Sequence, residues 1–201
     1  MAQSALMQTI ISRRSIRRYL PDPVPQSVIE TVLTAATWAA SAHNRQPWRF
    51  CVIQSTEQKE TLARAMGAQL RRDLEADGTP EAIIAADTGR SYSRITSAPV
   101  LIALCLSLVD MDHYPDARRN DQEFIMAVQS TAMAGQNLLL AAHDQGLGAC
   151  WMCAPLFCPE VVSAVLDLPA DWQPQALITL GYPAESKEKT RRPLEMGVTW
   201  R

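Results

Sequence analysis

Three features of the chain predict one α+β domain. Helical and strand patterns interleave, with helices dominant. Residues 99–106 form an almost wholly apolar run of strand length. The strand-like runs are too few and too unevenly spaced for a doubly wound sheet. The 201 residues fit a single domain spanning 1–201, and a 47% hydrophobic content supplies a sizeable core. No internal repeat, low-complexity tract or linker divides it.

In chain order, residues 4–12 carry Leu6, Met7, Ile10 and Ile11 at helical spacing. Pro21, Pro23 and Pro25 interrupt, and a second helix starts near Pro25 with Val28, Ile29, Val32, Leu33 and Ala36 as its buried stripe. Residues 48–54 read as a strand. Thr56 is expected to cap a third helix that buries Leu62, Ala63, Met66 and Leu70. A fourth helical pattern covers 81–88. The apolar run 99–106 fits a central strand buried on both faces, and 107–120 reads as a polar loop. Residues 122–145 form a long helix that is apolar on most sides and ends at Gly146, so burial on all sides is expected, with a partner subunit supplying part of it. A short apolar stretch (148–152), a short helix (159–166), a strand (175–182) and a polar, basic tail complete the chain.

Composition excludes several functions. A net charge of -2 does not suit general nucleic-acid binding. The chain holds no apolar run near the length of a membrane span and no signal-like apolar region near its start, so a non-membrane protein is expected. Five cysteines, an odd number, read as reduced thiols and a cytoplasmic location. Cys150, Cys153 and Cys158 lack a fourth ligand and sit among apolar residues, so no metal site is expected there. Three histidines and no Gly-x-Ser-x-Gly argue against a hydrolase, and no Gly-x-Gly-x-x-Gly follows a strand.

What remains is a set of polar segments. Arg13, Arg14, Ser15 and Arg17 group guanidinium forks with a hydroxyl, as a phosphate requires, although a solvated helix end has the same composition. Lys189, Arg191 and Arg192 repeat that pattern near the end of the chain. Residues 41–48 (Ser-Ala-His-Asn-Arg-Gln-Pro-Trp) place hydrogen-bonding side chains between a helix and a strand, which suits a polar ring-shaped ligand. Residues 114–120 carry Arg118 and Arg119 in what reads as a lid for an anionic substrate or as a plain surface turn.

Taken together, residues 13–19, 41–48 and 146–152, with the tail segment 189–195, resemble the FMN-dependent nitroreductase family in order and spacing across nearly the whole chain. The resemblance implies a nitroreductase-like α+β fold with a mostly antiparallel central sheet surrounded by helices. It also implies an intertwined homodimer with FMN sites at the interface. Carried over, Arg13, Arg14, Ser15, Arg17, Arg191 and Arg192 would hold FMN from one subunit. Ala40, Ser41, Ala42 and Asn44 would pack on it from the other, and Cys150, Trp151, Met152 and Cys153 would run past its ring. Arg17 would oppose the charge of the reduced flavin. The implied activity is ping-pong hydride transfer from NAD(P)H through FMN to an electron-poor acceptor, with no indispensable protein acid or base. Residues 114–120 and 157–172 also resemble the C-terminal flavin domain of the deazaflavin-coenzyme γ-glutamyl ligase, which implies as an alternative the reduction of a deazaflavin precursor, with Arg118 and Arg119 meeting the substrate. A flavin store or sensor without turnover is the reading from another class.

Overall fold

The computed structural model describes residues 4–201. Four strands form one sheet in the order β1-β2-β4-β3, antiparallel at every step. They are β1 (Trp48–Ile53), β2 (Val100–Leu106), β3 (Gly148–Met152) and β4 (Gln173–Gly181). Six helices surround it: α1 (Ala5–Ser12), α2 (Gln26–Thr37), α3 (Thr56–Ala76), α4 (Glu81–Thr96), α5 (Ala117–Asp144) and α6 (Pro159–Leu166). Among the described residues no helix is long and apolar enough to cross a membrane.

Strand β2 explains the layering. All seven of its residues are buried, and successive side chains leave opposite faces of the sheet. Val100, Ile102 and Leu104 join Ile29, Val32, Ala134 and Leu138 of α2 and α5 in one core. Leu101, Ala103 and Cys105 join Leu62, Met66 and Val162 of α3 and α6 in the other. Burial holds the Cys105 thiol up at about 12, so it behaves as an apolar group.

Several elements extend beyond their expected bounds. Helix α5 starts at Ala117, within the segment expected to be a loop, because Asp116 caps it by accepting from the Arg119 N–H at 3.0 Å. It ends as expected. Gly146 takes φ 74°, its N–H reaches His143 O at 3.1 Å, and the Leu147 N–H reaches Ala142 O at 2.8 Å, a Schellman closure. Helix α4 continues to Thr96, eight residues past its expected end, anchored by buried Ile95. Ser55, not Thr56, caps α3 by accepting from the Gln58 N–H. Strand β4 begins at Gln173, and a register shift opposite Leu104 and Cys105 absorbs Pro174, which cannot donate to a ladder.

Within this chain α5 is not buried on all sides. One face packs inward through Ala127, Ala134, Leu138 and Ala142, while Phe124, Ile125 and Met133 are exposed. Helix α1 buries none of its residues: Leu6, Met7, Ile10 and Ile11 all face outward. The tail beyond Pro183 likewise exposes Leu194, Met196 and Trp200.

Candidate functional site

The basic segment after α1 forms an arm laid along the sheet. The Ile16 N–H donates to Ala149 O at 3.1 Å and Ser15 bridges Ala149 in parallel, so residues 13–17 run beside β3. Farther on, Tyr19 bridges Pro183, and its hydroxyl shares a 2.6 Å hydrogen bond with Thr179 Oγ1. Burial pushes the Tyr19 phenol well above its ordinary value. The approach is close because Gly148 has no side chain: a Cβ there would lie 2.7 Å from Ile16 Cγ2.

This docking brings the first, third and fourth sequence segments together. Arg17 and residues 150–154 share a cavity of about 330 Å³. Burial lowers the pKa of the Arg13 guanidinium, and the charges of Arg191 and Arg14 lower it further. No carboxylate is among the groups acting on Arg13. Arg14 turns back, donating from Nη1 to Ile11 O at 2.6 Å and Arg13 O at 2.9 Å, and so caps the end of α1, while its Nε is buried without a partner. Glu185 secures the junction of arm and tail. Its carboxylate accepts from the Arg17 N–H at 2.7 Å and meets Lys187 at 3.1 Å. Burial pushes that carboxyl up, but these hydrogen bonds outweigh it and hold it below its ordinary range. Arg192 is exposed.

On β3, the Trp151 ring lies against α5, where a Cβ on Gly135 would strike it, and its Nε1–H donates to Cys153 Sγ at 3.1 Å. Cys150 is buried and Cys153 exposed, and Met152 packs on the opposite side of the sheet from Trp151.

The 41–48 insert is elsewhere. It leads into β1, the far edge of the sheet from β3. Trp48 is buried and anchors it. The Ser41 Oγ accepts from the Gln46 N–H at 3.1 Å, and the Ala42 N–H donates to Ser130 Oγ at 3.2 Å. His43, Asn44 and Gln46 all take left-handed backbone angles, with φ 50°, 54° and 49°. Ala40 and Asn44 are exposed.

Helix α5 measures the gap. Ala42 is tied to it at Ser130, and Ser12, at the root of the arm, is tied to it by a 2.7 Å bond to His143 Nε2. At about 1.5 Å of rise per residue, those attachments stand roughly 20 Å apart. One chain therefore does not bring Ser41 and Asn44 to Arg13. Arg118 and Arg119 lie at the insert's end of α5, roughly 37 Å along the axis from His143. Arg119 is engaged locally, paired with Asp116 at 2.5 Å and stacked 4.5 Å over the Tyr114 ring. Arg118 is exposed.

Helix α4 supplies residues the sequence reading missed. Arg90, Arg94, Asp87 and Ser91 line the cavity with Arg17. A second cavity of about 500 Å³ shares Arg17, Arg90 and Arg94 and adds Arg18 and Lys187. The signal was present in the one-turn spacing of Arg90 and Arg94, but reading the helix as ended at Thr88 hid it.

Comparison with known proteins identifies the family. A protein-family model described as the Nitroreductase family matches residues 10–182. A NADH dehydrogenase of Thermus thermophilus is 33% identical, over 95% of this chain and 93% of the relative. A putative NADH dehydrogenase/NAD(P)H nitroreductase of Methanothermobacter thermautotrophicus is 31% identical, over 90% of this chain and 78% of the relative. The crystal structure of a putative nitroreductase in complex with FMN from Desulfovibrio desulfuricans superposes with a TM-score of 0.76 at 27% identity, covering 100% of this chain and 98% of the other. With that match over most of its length and relatives above 30% identity, the chain belongs to the nitroreductase family.

Proposed function

We propose that this protein is an FMN-dependent oxidoreductase that takes hydride from NAD(P)H and passes it to an electron-poor acceptor. The observation that carries the reading is the group formed by Arg13, Arg14 and Arg191, in which Arg13 feels other cations and no carboxylate, while Glu185 is engaged by the Arg17 N–H and Lys187. The buried Arg14 Nε has no partner. A phosphate monoester supplies the missing charge and acceptors, so the residues present fit the phosphate end of FMN. Bound FMN would supply the hydride chemistry. Arg13, Ser15 and Arg191 would hold its phosphate and ribityl end, with Arg192 beside them. Arg17 would set positive charge at the ring's edge, and residues 150–153 would lie along the ring.

The roughly 20 Å separation along α5 supports a homodimer. Ala40, Ser41, Ala42 and Asn44 reach a flavin site only if that site belongs to another copy. The exposed faces of α1 and α5 and the apolar tail are the surfaces such a copy would cover. Nicotinamide and acceptor would use the same cavity in turn, so steady-state rates should give parallel double-reciprocal lines. The five free cysteines suit a reducing cytoplasm.

A second reading, reduction of an acidic acceptor such as a deazaflavin precursor, draws on the basic cavity of Arg17, Arg18, Arg94 and Lys187. Here the cations that meet the acceptor come from α4 and the arm, whereas Arg118 and Arg119 can contribute only from a partner copy.

The test is to load the purified protein with FMN and add NADH or NADPH anaerobically. Retained flavin colour that bleaches is the expected result. No flavin retention overturns the cofactor assignment, and colour that persists with both nucleotides leaves a flavin carrier without turnover. Acidic and neutral acceptors compared on the bleached protein, with Arg94→Ala and Arg118→Ala, separate the two readings of the acceptor.

A further inference from the structure

His43, Asp112 and Glu123 come from three separate segments: the strained insert, the loop after β2 and the second turn of α5. One ligand-type atom from each lies within 4.8 Å of the other two. Glu123 is only 4% exposed, and its Oε2 is buried with no hydrogen-bond partner. A carboxylate oxygen in that state is costly to keep. Arg45, which adjoins the cluster, is paired with Oδ1 of Asp112. The cluster thus sets two carboxylates against one guanidinium.

We propose that His43, Asp112 and Glu123 form a binding site for a divalent first-row transition metal ion, with zinc as the representative. An imidazole with two carboxylates and no thiolate suits zinc or manganese. Metal bonds of about 2.0–2.2 Å set ligand atoms about 3.3–3.6 Å apart, a spacing that the three groups, now within 4.8 Å of one another, reach by small side-chain shifts. Exposed His43 and half-buried Asp112 are the members free to move, and Glu123 is the fixed one. Three protein ligands leave a position for water or one further donor, as in open zinc sites. Such an ion cross-links the insert to α5 close to the Ala42–Ser130 hydrogen bond. It would hold His43 in its left-handed conformation and fix the position of Ser41 and Asn44. The proposal does not depend on the flavin reading.

The experiment is a calorimetric titration of untagged, EDTA-stripped protein with zinc chloride at neutral pH, with thermal melts alongside. The expected result is one zinc per chain, a zinc-dependent rise in Tm, and affinity lower by about tenfold or more in both Glu123→Gln and His43→Asn. Should Glu123→Gln not fold, Asp112→Asn takes its place. Absence of zinc binding overturns the site. Binding unchanged in the ligand variants but lost in Cys153→Ser overturns it in favour of thiol capture.

Discussion

The arm of residues 13–19 and the insert of residues 41–47 carry the two halves of the candidate site, and they are held in opposite ways. The arm is bonded backbone to backbone with β3 and with residues 182–184 just past β4, and packs Ile16 against Gly148. The insert is largely exposed, keeps three non-glycine residues at positive φ, and is tied by serine hydroxyls, the Arg45–Asp112 pair and one backbone bond from the Ser107 N–H to Pro47 O. Left-handed backbone costs about 1–2 kcal/mol for most residues, so the insert is held in shape by these side-chain bonds and a short turn of backbone bonds acting against strain. One half of the site is built into the sheet, whereas the other is clamped onto it.

That contrast sets the order of expected effects. Arg13→Ala removes a charge from the fixed half without moving its backbone. It should weaken FMN binding by about 1.5–3 kcal/mol, roughly ten- to 150-fold, in a fluorescence titration. Unchanged affinity removes Arg13 from the site. Gly148→Ala should lower unfolding stability by about 1–3 kcal/mol in urea, because the added Cβ would meet Ile16 at 2.7 Å. A neutral result would show that the arm yields as easily as the insert. Gln46→Gly should do the opposite and raise stability by up to about 1 kcal/mol, since glycine takes φ 49° without strain. The smallest effect concerns the tie of Ser12 to His143. Burial, with the charges of Arg13 and Arg14, lowers the His143 pKa below its ordinary 6.5. As pH falls the unfolded chain takes up that proton first, so this contribution is present above about pH 6.5 and declines as pH drops through the lowered value. His143→Gln should flatten the stability profile in that window.

Much of the fold was legible because burial leaves a periodic trace. The apolar run containing β2, the 3.6-residue stripe of α2 and the glycine after α5 each dictate one structure. The start of α5 was hidden because Arg118, Arg119 and Asn120 look like a loop. Asp116, three residues before the Arg119 N–H it caps, was the signal that outweighed them. The arm and β3 were legible as site segments because their residue types are unusual together. That they adjoin, while the insert stands apart, follows from strand order and helix length, which no local pattern encodes. Glu123 was invisible for a similar reason: among Gln122 and Asn120 it reads as a solvated helical acid, and only the packed structure shows it buried.

The bond from Ser12 to one end of α5 and from Ala42 to its middle has a genetic consequence. If two copies pair, each chain gives an arm to one flavin site and an insert to the other. A chain damaged in the arm, such as Arg13→Ala, and a chain damaged in the insert, such as Ser41→Ala with Asn44→Ala, would each fail alone. Co-expressed, the two alleles would assemble mixed pairs in which both lesions fall on one site and the other is wild type throughout. Such complementation would restore one flavin per mixed pair.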